Sequence, residues 1–111
     1  MRTITVNGKL YPAKEFDLNT VCDLEDMGVS LENMQNKPLS GLRAYVALCI
    51  GRGTAYAGNE IQNHVLNGGT FQDIMDVMGK QMEESDFFRK LNSQTTAEME
   101  TAETTEDNPE K

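Results

Sequence analysis

The sequence has no tryptophan, a single histidine and two cysteines, and aromatic residues make up only 6% of its 111 positions. Each shortage closes off a class of chemistry. A Ser-His-Asp or Cys-His arrangement would have to use His64, which falls mid-helix beside Asn63 with no patterned nucleophile nearby. A zinc site needs several Cys and His ligands, and Cys22, Cys49 and His64 are scattered. There is no CxxC and no disulfide framework, so the two cysteines read as buried, reduced thiols. Paired carboxylates such as Asp23/Asp26 and Glu83/Glu84 fall on polar helix faces and read as solvated charge. Gly51-x-Gly53 with Gly58 downstream suggests a phosphate loop, but the third glycine is misplaced and no second βαβ unit follows. No Walker pattern occurs, because Gly8-Lys9 runs into Leu10 and Gly79-Lys80 into Gln81. The expectation is a protein that is not an enzyme and binds no cofactor or metal.

Positive charge is also scarce. Lys and Arg number 10 against 18 Asp and Glu, giving a formal net charge of -8. Binding to nucleic-acid phosphates or to anionic lipid needs clustered cations, so neither partner is expected. The start of the chain lacks an apolar signal-peptide core, and no run approaches the ~18 apolar residues of a membrane span. The expected location is a cytoplasm.

The patterned residues run from Thr70 to Leu91. Phe71, Ile74, Met75, Met78 and Met82 recur every three or four positions, as on one face of a helix. Thr70 is placed to cap that helix and Asp73 to answer it three residues on. Phe87, Phe88 and Leu91 follow near its end. The default reading of this Met/Phe stripe is core. The alternative is a protein-binding surface, since methionine adapts to varied partners. Met75, Met78, Met82, Phe87 and Phe88 are the candidate contact residues on that alternative.

Upstream, residues 2–6 alternate and are β-branched, and Asn7-Gly8 is a strong hairpin signal. Lys9 to Tyr11 returns as a second strand, which Pro12 limits or places at an edge. Phe16 to Met27 reads as a helix capped by Asp17 or Asn19, with Leu18, Val21, Cys22 and Leu24 on its apolar face and Gly28 as a left-handed cap. Ser30 caps a short turn carrying Leu31 and Met34. After a break at Asn36-Lys37-Pro38, Leu39 to Ile50 is apolar on most faces, which suits a central buried helix; a buried strand over 44–50 competes. Thr54 is placed to cap a further helix, Ala55 to Leu66, with Ile61, Val65 and Leu66 facing inward. Gly58 within it costs about 1 kcal/mol relative to alanine and points to close packing. Asn67-Gly68-Gly69 ends it.

From Asn92 to Lys111 the chain is Thr/Glu-rich, with 6 acidic residues and 1 basic one and no aromatic. Such a segment cannot bury enough apolar area to offset its ordering entropy and reads as disordered. The expected architecture is therefore mainly α. A helical domain of about four helices spans residues 1–91, with a β-hairpin over 2–12, and a disordered acidic tail spans 92–111.

Three stretches in order, ITVNGKLYPAKEFDLNTVCDLEDMGVSLENM, KPLSGLRAYVALCIGRGTAYAGNEIQNHVLNGG and TFQDIMDVMGKQMEESDFF, carry a family resemblance. A ribbon led by ITVNGK, a helix ending in LEDMG, an apolar LRAYVAL helix, a helix ending in NGG and a helix ending in ESDFF resemble the tail assembly chaperones of long, non-contractile-tailed (siphovirus-type) phages and prophages. The likeness covers roughly Ile4 to Phe88 and rests on order and texture. It is carried by Leu24, Glu25 and Gly28, by Leu42 and Ala44, by Gly68 and Gly69, and by Phe87 and Phe88. It implies a non-enzymatic role in viral tail morphogenesis. Such chaperones coat the tape measure protein and keep it soluble. A frameshifted, extended form recruits tail tube subunits, and the chaperone leaves before the virion is complete. The implied partners are the tape measure protein and the tail tube protein, in the host bacterial cytoplasm, and a homo-oligomer is compatible with coating a long partner. A different class of function suits the acidic composition too: a small regulatory or DNA-mimic protein that occupies a basic groove on a host protein.

Overall fold

The computed structural model describes residues 2–30, 34 and 36–91. The expectations for Leu31 and for a disordered tail over 92–111 lie outside these residues. The described chain is mainly helical with a two-stranded antiparallel hairpin at its start. Strand β1 (Thr3–Val6) pairs with β2 (Lys9–Pro12) in the register Thr3↔Pro12 to Val6↔Lys9. Asn7 and Gly8 turn the hairpin at φ +53° and +79°, the pair of positive values that a tight twisted turn requires and that Asn-Gly tolerates. Ile4 and Val6 are buried while Thr3 and Thr5 face out, so one face of the ribbon is core.

Helix α1 (Leu18–Asp26) starts two residues later than the apolar pattern suggests. Asp17 is its cap, accepting the Thr20 N–H at 2.9 Å. Gly28 leaves the helix at φ +90°, as the sequence pattern indicates. The expected inward face of α1 is only partly right. Val21 and Leu24 are buried, with Thr20 beside them, but Leu18 and Cys22 are exposed. The helix is a lid touching the core along a narrow stripe, too narrow to cover four apolar positions.

Helix α2 (Pro38–Ile50) is the central element, with Leu42, Ala44, Tyr45, Val46 and Ala47 all buried. The competing strand is absent; Pro38 fits the first helical turn, where its missing N–H costs nothing. After a turn at residues 51–53, α3 (Thr54–Leu66) folds back beside it. Gly53 occupies the cap position and Thr54 is the first helical residue, so Thr54 is not the cap. Ile61 points inward, whereas Leu66 is 71% exposed, against the expectation for it.

Helix α4 (Phe71–Glu84) carries both halves of the Thr70/Asp73 capping box. It stops at Ser85, and a separate helical turn covers residues 86–91. The single helix expected from Thr70 to Leu91 is thus divided. Ser85 Oγ donates to the Phe16 carbonyl at 2.6 Å and accepts the Phe88 N–H at 3.0 Å, so it caps the second turn and redirects the chain. The redirection places Phe88 edge-on to Phe16, with centroids 5.2 Å apart, while Phe16 stacks on Tyr45 at 5.1 Å.

The core is completed by polar side chains that hold the connector between β2 and α1. Gln81, buried, donates to the carbonyls of Ala13 (3.2 Å) and Lys14 (3.1 Å) and accepts from Arg2 (3.0 Å). The Tyr45 hydroxyl donates to the same Lys14 carbonyl at 2.7 Å. Buried polar groups must be satisfied, and these bonds are how an irregular segment runs across the core. Arg2 also makes a two-pronged contact with Glu84 at 2.6 and 2.8 Å.

Candidate functional site

The N-terminal half of α2 and the C-terminal half of α3 border an open groove of about 360 Å³. On α3 the lining positions 58, 61, 62, 65 and 66 follow the helical repeat along one stripe; on α2 they are Leu39, Ser40, Leu42 and Arg43. Leu42 and Ile61 form its floor and belong to the core. Leu66, Leu39 and Phe71 form its walls and are 71%, 53% and 41% exposed. A contiguous apolar surface of this kind marks an interaction site more often than isolated surface leucines do. Arg43 is the charged residue of the lining, and no carboxylate lines the groove. A Cβ at Gly58 would meet Arg43 Cδ at 3.3 Å, so the missing side chain lets the arginine stem lie close across α3. This bears out the close packing expected at Gly58.

A second cluster surrounds His64, which is buried. Its Nδ1 accepts the Asn7 N–H at 2.9 Å, so the ring proton resides on Nε2, which donates to Asp73 Oδ1 at 2.9 Å. Asp73 Oδ2 meanwhile accepts the Thr70 N–H at 3.3 Å, and Asn67 Nδ2 donates to Asn7 Oδ1 at 3.1 Å. Burial pushes the Asp73 carboxyl upward, but the bonds from His64 and Thr70 outweigh it and leave the group below its ordinary value. One imidazole thus ties the hairpin turn, α3 and the start of α4 together. Both ring nitrogens are committed, which leaves neither a lone pair for a metal nor a free base for catalysis. The cluster is a structural clamp: His64 has the structural role its mid-helix position suggests, but it is buried rather than at or near the surface. Among the described residues no group of three His, Cys, Asp or Glu is placed to hold a metal ion.

Of the five candidate contact residues, Met82 and Phe88 share a shallow open depression with Glu83 and Arg89. Met75, Met78, Met82 and Phe88 are half-buried and pack against the core, and Phe87 is 39% exposed. The groove lies on the opposite partners, α2 and α3, and shares only Phe71 with the stripe. Leu39 and Leu66 carry its walls, and the sequence reading did not single them out for binding. The available signal was the excess of apolar residues on α2, more than one face needs, next to a helix with the stripe 58, 61, 62, 65, 66.

The cysteines divide as well. Cys22 is exposed, contrary to the expectation that both are buried, because α1 turns that position outward. Cys49 is half-buried and accepts the Lys14 N–H at 3.4 Å, and burial pushes its thiol upward against the lowering effect of that bond.

Comparison with family models, with curated proteins and with solved structures finds no match. No helix among the described residues is long and apolar enough to cross a membrane.

Proposed function

We propose that the protein is a tail assembly chaperone that binds the tape measure protein of a siphovirus-type phage or prophage, keeps it soluble and helps recruit tail tube subunits. The observation that carries this reading is the α2/α3 groove, an apolar trough with three large, exposed hydrophobic walls. The order of sequence stretches that resembles this family supports it. A tape measure protein is a long helical chain, and an apolar helical segment laid into such a groove is shielded from other copies of itself. Excess negative charge on the chaperone keeps the coated complex apart from its neighbours. A groove only a few side chains long gives modest affinity, which suits a chaperone that must be displaced as tube subunits polymerise.

The test is co-expression of the full chain with the tape measure protein encoded beside it, followed by solubility measurement and size-exclusion chromatography. The tape measure protein should stay soluble and co-elute. If it precipitates while this protein elutes alone, the proposal fails. Binding through an apolar groove should also survive raised salt, whereas an acidic protein docked in a basic host groove should dissociate.

A further inference from the structure

We infer that the α2/α3 groove reads a short amphipathic helix of defined polarity: two or three apolar anchors at the Leu39/Leu66/Phe71 end and a carboxylate at the Arg43/Gly58 end. The inference deepens the chaperone proposal by stating what a bound segment must look like, and it rests on that proposal for the identity of the natural partner.

The length follows from the lining. The α3 stripe runs from Gly58 to Leu66, eight steps of about 1.5 Å, or roughly two helical turns. A docked helix can therefore present anchors at i, i+3 or i+4, and i+7, and no more. The walls fix where those anchors go. Leu66, Leu39 and Phe71 gather at the end of the groove nearest the start of α4, with the uncharged Ser40 and Gln62 beside them, so an occupant there meets mostly apolar surface and no charge.

The charge fixes the other end. Arg43 is exposed, reaches across Gly58, and is paired with no carboxylate among the described residues. Arg2 is matched by Glu84, Lys9 by Glu60 and Arg89 by Asp86. With no acid in the lining, an occupant that carries one gains a partner for Arg43. That preference disfavours a second copy of this groove, which would set Arg43 against apolar surface or against another Arg43. It also disfavours residues 92–111, which are rich in Glu but offer only Met99 and two alanines to fill a trough walled by leucine and phenylalanine. An apolar ridge with an acidic residue one turn beyond it satisfies both ends.

The experiment uses the full chain and three synthetic probes. The first is an alanine-based helical peptide with leucines at i and i+3 and a glutamate one turn beyond, at i+7, on the same face. The second replaces the glutamate by lysine, and the third scrambles the leucines. The first peptide should bind saturably, the lysine peptide more weakly, and the scrambled peptide not at all. Leu66→Asp should weaken the first peptide about tenfold or more. Arg43→Glu should reverse the preference, so that the lysine peptide binds better than the glutamate peptide. Both side chains are exposed, so unchanged circular dichroism is expected of each variant. Absence of binding, binding indifferent to Leu66→Asp, or a preference unaltered by Arg43→Glu would each overturn the inference. So would photo-crosslinking from a benzophenone at position 66 that captures residues 92–111 or a second copy. The two proposals fail separately. If Leu66→Asp still solubilises the tape measure protein, the groove is wrong and the chaperone reading stands. If the unaltered chain does not solubilise it, the chaperone reading falls whatever the peptides do.

Discussion

Gly69→Ala should destabilise the protein only while His64 is present. Gly69 has no left-handed backbone angle to preserve, so alanine is not strained there by its own φ. The obstacle is the imidazole. A Cβ at position 69 would lie 2.5 Å from His64 Cδ2 and 2.7 Å from Cε1, and would overlap Nε2 as well. The cheapest escape is for the ring to swing out, which breaks the bonds to Asn7 and Asp73. Two lost hydrogen bonds cost about 1 kcal/mol each, and a stranded Asn7 N–H adds roughly 1 kcal/mol more where water does not reach it. The single variant should therefore lose about 2–3 kcal/mol, close to the loss from His64→Ala, because both abolish the same clamp. In the His64→Ala background, Gly69→Ala meets no ring. It should then be neutral or stabilising by up to about 0.5 kcal/mol through a stiffer unfolded chain. Urea denaturation followed by circular dichroism measures all four chains. Additive losses, with Gly69→Ala costing as much without the histidine as with it, would refute the clamp.

Tyr45 and Gln81 share the Lys14 carbonyl. Tyr45→Phe and Gln81→Leu should each leave that oxygen one donor, and the double variant should fall below the sum of the singles by about 1 kcal/mol in urea unfolding; strict additivity would show that water satisfies the carbonyl. Gly79 has open space where a Cβ would go, so Gly79→Ala in the interior of α4 should raise stability by about 0.5–1 kcal/mol by the same measurement. The Asp17 carboxyl is held below its ordinary 3.8 by the Thr20 N–H, and Glu84 below its ordinary 4.5 by the Arg2 hydrogen bond. Each folded value lies below the unfolded one, so the stabilisation is complete above those ordinary values and disappears as pH falls through the folded ones. Asp17→Asn should keep the cap at pH 7 yet flatten part of the acid decline in a urea titration run from pH 7 to below 3.

What the sequence made legible was local. Asn7-Gly8 fixed the hairpin, the Thr70/Asp73 spacing announced α4, and the apolar run from Leu39 to Ile50 announced the central helix, which begins one residue earlier, at the Pro38 read as part of a break. These signals act over a few residues, where backbone sterics and capping decide. The features that escaped depend on which helix packs beside which. The apolar count of α1 could not reveal that Leu18 and Cys22 face outward, because the helix meets the core along a narrow strip. Nor could periodicity show that α4 breaks at Ser85, although a serine followed by Asp86 is a recognisable cap; the partner that commits it, the Phe16 carbonyl, is remote in sequence. The same holds for Gln81 reaching the connector and for His64 joining Asn7 to Asp73. The groove was hidden for the converse reason. Leu39 and Leu66 look like core positions until the packing leaves them out of it. The methionine stripe drew attention instead, and the structure spends most of it on the core.

The most direct measurement compares Leu66→Asp with the Met78→Glu/Met82→Glu double variant for the amount of tape measure protein held soluble on co-expression. Leu66→Asp should keep its fold, by circular dichroism, and lose the tape measure protein. The methionine variant should lose stability itself, by about 2 kcal/mol or more, since each glutamate would be pressed against the core. A Leu66→Asp protein that solubilises the tape measure as well as the unaltered chain, beside a folded methionine variant that does not, would contradict the account and move the contact surface to α4.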